Sequence, residues 1–543
     1  MIKRSSFLFV FIIVSNFLLA QSAKKLQKPK LVIGLVIDQM RWDYLYRYND
    51  LYGSGGFKRL INDGFSCDHT LIPFVPTYTG PGHTCIYTGS IPSIHGIVAN
   101  DWYDSNTKKN VYCTDDSTVN TIGSESDEGK MSPRNLLVTT IGDELRLSTN
   151  FRSKVIGISL KDRASILPAG HSANAAYWFD GKEGKWISSS YYQNQLPDWV
   201  VKQNEKGFPD IAMSKDWNTL LPINKYVQST SDDEKYEDHI SGDKTVTFPH
   251  HLSQITKGRY SAFKYTPASM AYTFDMAKQA VKNEKLGVDN FTDMLTISIS
   301  TTDYVGHAFG PNSVEAEDTY LNLDKDIADF LNYLDVTVGK GNYVLFLTAD
   351  HGVEHVPGFM EEHNIPGGNY SSEELSQKLK QEIEEETGLK NVIIKIQNSQ
   401  VYVNDEALKK AGKDINTVNQ QIIDFLNRQP VVEYAFATKD LATATIPSPI
   451  KCMLINGYNP KRSGQIGFIS NPGYISEGSS GTTHGAWNPY DAHIPLIWFG
   501  TNIKPGKTTQ KTYMSDIAPT IAALLNIQMP SGNVGEVIEK VME

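Results

Sequence analysis

Cysteine is scarce in this chain. Cys67, Cys85, Cys113 and Cys452 are the only four among 543 residues, and their spacing fits no zinc-finger pattern. An oxidising compartment leaves room for one disulfide, with Cys67–Cys113 as the pair to look for, against the alternative of buried free thiols. Basic excess is also missing. Fifty-one Lys and Arg against 61 Asp and Glu give a formal charge of −10, so no nucleic-acid-binding surface is implied. An anionic substrate would have to be held by a few local cations or by metal ions. Beyond the first twenty residues no segment approaches 18 apolar residues, which excludes a membrane-spanning helix there. Internal repeats and low-complexity tracts are absent. With 40% hydrophobic and 21% charged residues, large-scale disorder is not expected. The length suits one large domain with insertions, or two to four units of ~150 residues.

The N-terminus reads as a signal rather than as part of the fold. MIKR supplies a positive start, FLFVFIIVSNFLLA (7–20) an apolar stretch too short to span comfortably, and QSAKK a polar exit. A cleaved secretory signal over 1–20 is expected, cut at 20–23, with no cysteine behind it for a lipid anchor. An exported protein, periplasmic or secreted, follows.

Five apolar runs read as buried strands of a parallel sheet: 31–38, 155–163, 294–303, 342–352 and 493–500. Helical patterns alternate with them at 132–146 (Ser132 as N-cap, Pro133 at the first position), 266–284, 313–334 and 516–527. This alternation predicts an α/β fold, a doubly wound, mostly parallel sheet. Insertions are expected near 101–131, 176–260 and 370–445. The last has its own helix–strand–strand–helix–strand order and reads as a small α+β subdomain. One catalytic domain, 24–543, would carry all three.

Three of the expected strands end in carboxylates: Asp38, Asp303 and Asp350. Ligands of open parallel sheets bind at the carboxyl ends of the strands, and three acids converging there need a cation between them. Histidine follows two of them: His351 directly after Asp350, and His307 four residues after Asp303, a spacing that shares one face if the chain turns helical. His484 lies in a glycine-rich loop, GTTHGAWNP (481–489). Mixed Asp/His donors favour zinc over magnesium or calcium. Five or six such ligands are too many for one open tetrahedral zinc and fit two, an arrangement that holds the attacking and leaving oxygens of an in-line displacement. Such a pair could activate a hydroxyl in VPTYTGPGHT (75–84), which is otherwise inert. Thr79 precedes Gly80-Pro81 and would stand at a helix N-terminus, where anions are favoured. Thr77, Thr84 and Thr88 lack that placement, and spacing by itself leaves the choice open.

TYTGPGHTCIYTGSIPSIHGIVAND (77–101), with Asp38 upstream and Asp303/His307, Asp350-His351 and His484 downstream, resembles the alkaline phosphatase superfamily. A threonine nucleophile with Asn100 is a combination shared with nucleotide pyrophosphatase/phosphodiesterases. KDR (161–163) at a strand end is similar to the phosphate-irrepressible alkaline phosphatases of the PafA type, exported bacterial phosphomonoesterases. The resemblance runs from about residue 30 to the C-terminus. It implies two Zn2+ per chain, one held by Asp303, His307 and His484, the other by Asp38, Asp350, His351 and the Thr79 oxygen. It implies attack by Thr79, a phosphothreonine, its hydrolysis by water, and Asn100, Lys161 and Arg163 on the non-bridging oxygens. A monoester dianion offers three such oxygens to the Lys161/Arg163 pair and a diester fewer. A monomeric monoesterase acting on small phosphate monoesters is therefore expected, and a phosphodiesterase or nucleotide pyrophosphatase with the same site is the alternative.

Other readings fare less well. No C/S-x-P-x-R context exists for a sulfatase formylglycine, and a metal-dependent phosphoglycerate mutase would be cytosolic. A non-catalytic exported binder has no need of a complete ligand set. The remaining histidines, His83 and His95 beside the nucleophile helix among them, are expected to be structural.

Overall fold

The structure, a computed structural model, describes residues 27–543 except 477 and 479. The expected signal at 1–20, with its cut, lies outside the described residues. In chain order the strands that matter are β1 (Leu31–Ile37), β2 (Phe65–Cys67), β3 (Thr121–Ile122), β4 (Val155–Ser159), β5 (Ala175–Asp180), β6 (Lys185–Ser189), β7 (Asp293–Ile299), β8 (Tyr343–Thr348), β9 (Ile393–Gln397), β10 (Gln400–Val403), β11 (Val432–Ala437), β12 (Ile466–Ser470), β13 (Leu496–Gly500) and β14 (Gly506–Thr508). Ten of them form one sheet in the order β14-β2-β13-β8-β1-β7-β4-β5-β6-β3. Its centre, β8-β1-β7-β4-β5, is parallel. All seven residues of β1 are buried, as are all of β4, β7 and β8. Unbroken aliphatic runs are what a sheet covered on both faces requires.

The helices that matter are α1 (Thr79–Thr88), α2 (Ile141–Ser148), α3 (Asp162–Ala169), α4 (Pro267–Asn283), α5 (Thr301–Phe309), α6 (Val314–Leu334), α7 (Ser372–Thr387), α8 (Ile415–Asn427) and α9 (Ile517–Leu525). The α/β class and the mostly parallel core are as the sequence predicts. A separate sheet, β9-β10-β12-β11, packs with α7 and α8 around its own core of Leu379, Ile383, Val401, Ile422, Leu426 and Ile466. The tip of its β9–β10 hairpin reaches the main body. Asn398 Nδ2 donates to the Asp101 carbonyl at 2.7 Å, and Gln397 Nε2 donates to the Asp101 carboxylate.

Four expectations need correction. The run 155–163 is strand only to Ser159. Lys161 is the N-cap of α3, and Arg163 lies within that helix. The run 493–500 is broken at Pro495, which has no N–H to give a ladder. Its second half, β13, pairs antiparallel to β8. No helix starts at Ser132, because the Ser132 hydroxyl donates to Asp116 at 2.6 Å. The helix begins at Ile141 instead, where Thr140 and Asp143 form a reciprocal cap. Finally, all four cysteines are free, with Cys67, Cys85 and Cys113 buried. Cys67 belongs to the main core and Cys113 to a separate cluster with Ile97, Trp102 and Leu167, so the Cys67–Cys113 bridge does not form.

Candidate active site

Adjacency in the sheet explains the convergence. β8, β1, β7 and β4 are neighbours and parallel, so the residues after their carboxyl ends stand side by side. These are Asp350 after β8, Asp38 after β1, Asp303 in the first turn of α5 after β7, and Lys161 after β4. Asp38, Asp350 and His351 are completely buried, and Asp303 and Lys161 nearly so. α1 lies directly over Asp350. A Cβ on Gly82 would come within 2.5 Å of the Asp350 carbonyl oxygen, so glycine here lets the helix carrying Thr79 approach the acids.

The ligating atoms fall into two groups of mutually close donors: Asp38, Asp350 and His351; and Asp303, His351 and His484. Thr79 Oγ1, at the first position of α1, is 3.4 Å from His351 Nε2. His307 stands beside the second group, with Nε2 3.3 Å from Asp303 Oδ1. The structure therefore brings together all seven expected ligands, with His351 touching both groups.

Each histidine is oriented by a backbone carbonyl. Nδ1 of His351 faces Gly352 O (3.0 Å), Nδ1 of His307 faces Thr482 O (2.8 Å), and Nδ1 of His484 faces Thr77 O (2.7 Å). A carbonyl can only accept, so each Nδ1 carries the proton and each Nε2 presents a lone pair. Those lone pairs point at carboxylate oxygens. His351 Nε2 lies 3.5 Å from Asp38 Oδ1 and 3.4 Å from Asp350 Oδ2, and His484 Nε2 lies 3.7 Å from Asp303 Oδ1. Asp38 Oδ1 has no hydrogen-bond partner among the described residues, and Asp350 Oδ2 has His83 Nδ1 at 3.2 Å. Acceptors facing acceptors in a buried place need a proton or a cation between them, and these residues fit a metal pair. Mixed imidazole and carboxylate donors are a zinc set.

The electrostatics reflect this crowding. Burial, then the charge of Asp350, pushes the Asp38 carboxyl well up. Burial pushes Asp303 the same way, but the Lys161 ammonium and His307 overcome it and hold the carboxyl well below its usual range. Lys161 Nζ donates to Asp38 Oδ2 (2.7 Å) and Asp303 Oδ2 (2.5 Å). Burial alone would lower this ammonium; its two acids raise it. Burial and the neighbouring His351 and His307 hold His484 well down, so its imidazole stays neutral.

Asn100 and Arg163 are each oriented by partners of their own. Asn100 Oδ1 accepts from Gly80 N (2.8 Å), which fixes the amide with Nδ2 as its free donor end. Arg163 Nη1 donates to Tyr112 Oη (3.0 Å), and Tyr112 in turn donates to Asp162 (2.6 Å). Arg163 Nε is buried without a partner among the described residues.

Sequence reasoning missed three residues. His83, read there as structural, is fully buried, 3.0 Å from Thr79 O and 3.2 Å from Asp350 Oδ2. Its position four residues after Thr79, on one helix face, was the available signal. Gln39 donates from its backbone N to Asp350 (3.1 Å) and from Nε2 to Asp303 (2.9 Å), and only its place beside Asp38 hints at this. Asp491 accepts from Gly485 N (2.8 Å) and Ala486 N (2.7 Å), pinning the loop that carries His484; nothing in its sequence context marks it.

Residues 32–493 match the family model described as type I phosphodiesterase / nucleotide pyrophosphatase, and the chain belongs to that family, within the alkaline phosphatase superfamily. Its relatives narrow the class. It is 51% identical to alkaline phosphatase PhoV of Synechococcus elongatus, over 95% of this chain and 93% of that one. It is 48% identical to alkaline phosphatase PafA of Elizabethkingia meningoseptica over the full length of both. A crystal structure of wild-type alkaline phosphatase PafA, 49% identical, superposes with a TM-score of 0.93 over 95% of this chain and 99% of that one.

Proposed function

We propose that this enzyme is an exported, zinc-dependent phosphomonoesterase that works as a monomer on small phosphate monoesters through a phosphothreonine at Thr79. The observation that carries the reading is the Thr79 hydroxyl at a helix N-terminus, 3.4 Å from His351 Nε2 and beside two donor groups that call for cations. One zinc would be held by Asp303, His307 and His484, the other by Asp38, Asp350, His351 and the Thr79 oxygen. The chemistry such a pair supplies when bound is Lewis acidity, so that an alcohol ionises near neutral pH and an alkoxide leaves.

The chain's own residues position the reaction. The first turn of α1 aims backbone N–H groups at the phosphoryl oxygens. Asn100, held by Gly80 N, offers its Nδ2 hydrogens to one non-bridging oxygen. Lys161 and Arg163 add cationic donors. Thr79 Oγ attacks phosphorus in line with the departing oxygen; the P–O bond to the alcohol breaks as the bond to Thr79 forms. Water then cleaves the phosphothreonine, returning the hydroxyl and releasing phosphate. Phosphoryl transfer asks for this kind of positioning and charge stabilisation. A solved variant of alkaline phosphatase PafA replaces one threonine, one asparagine, one lysine and one arginine together, the residue types of Thr79, Asn100, Lys161 and Arg163.

The alternative is a phosphodiesterase or nucleotide pyrophosphatase on the same site, which the name of the matched family favours. Turnover of an aryl phosphate and its methyl diester separates the two. The monoester is expected to be faster, with Lys161→Ala and Arg163→Ala each narrowing the gap. An unchanged ratio in both variants sinks the monoester argument. Export is tested by locating the mature protein after secretion and sequencing its N-terminus.

A further inference from the structure

A crevice runs between the small subdomain and the catalytic body, and residues of the active site line part of it. Tyr78, which precedes the reacting threonine, and His484 belong to its wall on the body side. The Tyr78 ring meets the His484 imidazole edge to face, with centroids 5.5 Å apart. A Cβ on Gly485 would lie 2.6 Å from the Tyr78 ring, and Gly485 has φ +122°, so glycine is required where loop and ring meet. The apolar lining comes from a cluster of Phe436, Leu441, Leu454 and Ile469, with Tyr458 and Trp487 packed against it. Phe436 and Ile469 are supplied by β11 and β12 of the subdomain sheet. Tyr458 and Trp487 are only partly buried, and Asn398, Ser399 and Gln400 at the β9–β10 hairpin add polar groups.

Both walls are fixed in place. Val75 N donates to Met453 O (3.2 Å) and Asn456 Nδ2 to Pro73 O (2.7 Å), and a Cβ on Gly457 would come within 1.8 Å of Val75 O. The helix Ser448–Gly457 thereby clamps the segment that leads into α1. Opposite, the hairpin tip is tied to the Asp101 carbonyl through Asn398. Concave, largely apolar sites with a few polar groups and preformed walls are where small molecules bind. The crevice encloses about 100 Å³, and an apolar cavity of ~150 Å³ admits benzene, so the space suits a single ring. In-line attack by Thr79, which stands beside His351, puts the departing oxygen on the far side of phosphorus, towards Asp303, His307 and His484. His484 is a donor on that side and a wall of the crevice as well. We propose that this crevice takes the organic part of the substrate, favouring leaving alcohols that carry an aromatic ring. The inference rests on the phosphomonoesterase reading above. It also gives the inserted subdomain a task, because β11 and β12 supply the wall that the catalytic body lacks.

The test uses the zinc-loaded full-length enzyme with benzyl phosphate and methyl phosphate, whose leaving alcohols are similar in acidity. Covering one ring should raise kcat/KM for the benzyl ester about tenfold over the methyl ester. Trp487→Ala and Tyr458→Ala should each bring that ratio to about threefold or less, whereas Val227→Ala, at a surface residue 74% exposed, should leave it alone. Calorimetry with the phosphonates in which CH2 replaces the bridging oxygen gives a readout independent of turnover: 2-phenylethylphosphonate should bind about tenfold tighter than ethylphosphonate. Equal kcat/KM for the two esters, equal affinity for the two phosphonates, or a preference that survives in both variants overturns the proposal and leaves the phosphomonoesterase reading standing. Failure to turn over either ester counts against that reading instead, and the phosphonate affinities still decide the crevice. If neither variant folds, a crystal structure of wild type with 2-phenylethylphosphonate decides, and a ring bound outside the crevice overturns the proposal.

Discussion

Asp491 is the sharpest place to perturb the site without touching a ligand. Its carboxylate is fully buried and accepts from Gly485 N (2.8 Å), Ala486 N (2.7 Å) and, more weakly, Thr77 Oγ1 (3.4 Å). Asp491→Ala strands two partly buried backbone donors, at no more than about 1–3 kcal/mol each, or about 2–6 kcal/mol together. Spread over a chain of this length, whose unfolding entropy is on the order of 1 kcal/mol/K, that lowers the melting temperature by only about 2–6 °C. The larger consequence is local. The two donors follow directly after His484, whose ring is otherwise held by Thr77 O, so the loop should open and the His484 imidazole should lose its place beside Asp303 and His351. Loss of an outer partner of this kind weakens metal binding roughly 10–100-fold. Asp491→Asn keeps an acceptor oxygen in the same place and should restore most of the affinity. The assay is competition of apoenzyme against a zinc chelator, alongside kcat/KM at saturating zinc. An Ala variant that binds zinc as tightly as wild type, with unaltered melting, would refute the assignment of Asp491 as the anchor of this loop.

Three other outcomes follow from the geometry. A Cβ on Gly306 would lie 1.8 Å from Gln39 Oε1, and Gln39 bridges Asp303 and Asp350; Gly306→Ala is expected to cut kcat/KM roughly tenfold or more with little change in denaturant midpoint, and equal losses in both would contradict it. Thr79→Ala should abolish turnover and acid-stable phosphoprotein while retaining zinc, and chelation of wild type should abolish turnover until zinc is returned. His250 is fully buried, and although burial opposes protonation, Asp243 and Glu315 push its pKa up to about 9. Because this lies above the unfolded value near 6.5, its stabilisation, at most about 3 kcal/mol, is complete below pH 6.5 and fades as pH rises through 9. Urea midpoints should fall over that window in wild type and stay flatter in His250→Gln.

The sheet centre and the carboxylates were legible because parallel strands buried on both faces leave unbroken aliphatic runs, and their polar ends stand out by contrast. β1, β7 and β8 each stop within a residue or a few of an acid that reaches the site. Legibility failed where a side chain far away in sequence competes. Ser132 looks like a helix cap until Asp116 is brought beside it. Pro495 splits one apolar run between two sheets, and reversal of β13 depends on the connection, not on composition. Asp491 acts through backbone N–H groups of the preceding loop, which leave no pattern in the residues themselves.

Lys161 spans the two carboxylates that belong to different donor groups, Asp38 and Asp303. The molecule thus carries its own counterion at the point of greatest mutual repulsion. A chain so equipped answers part of the repulsion among its acids with an ammonium of its own, so the charge balance at the strand ends does not rest on bound ions alone.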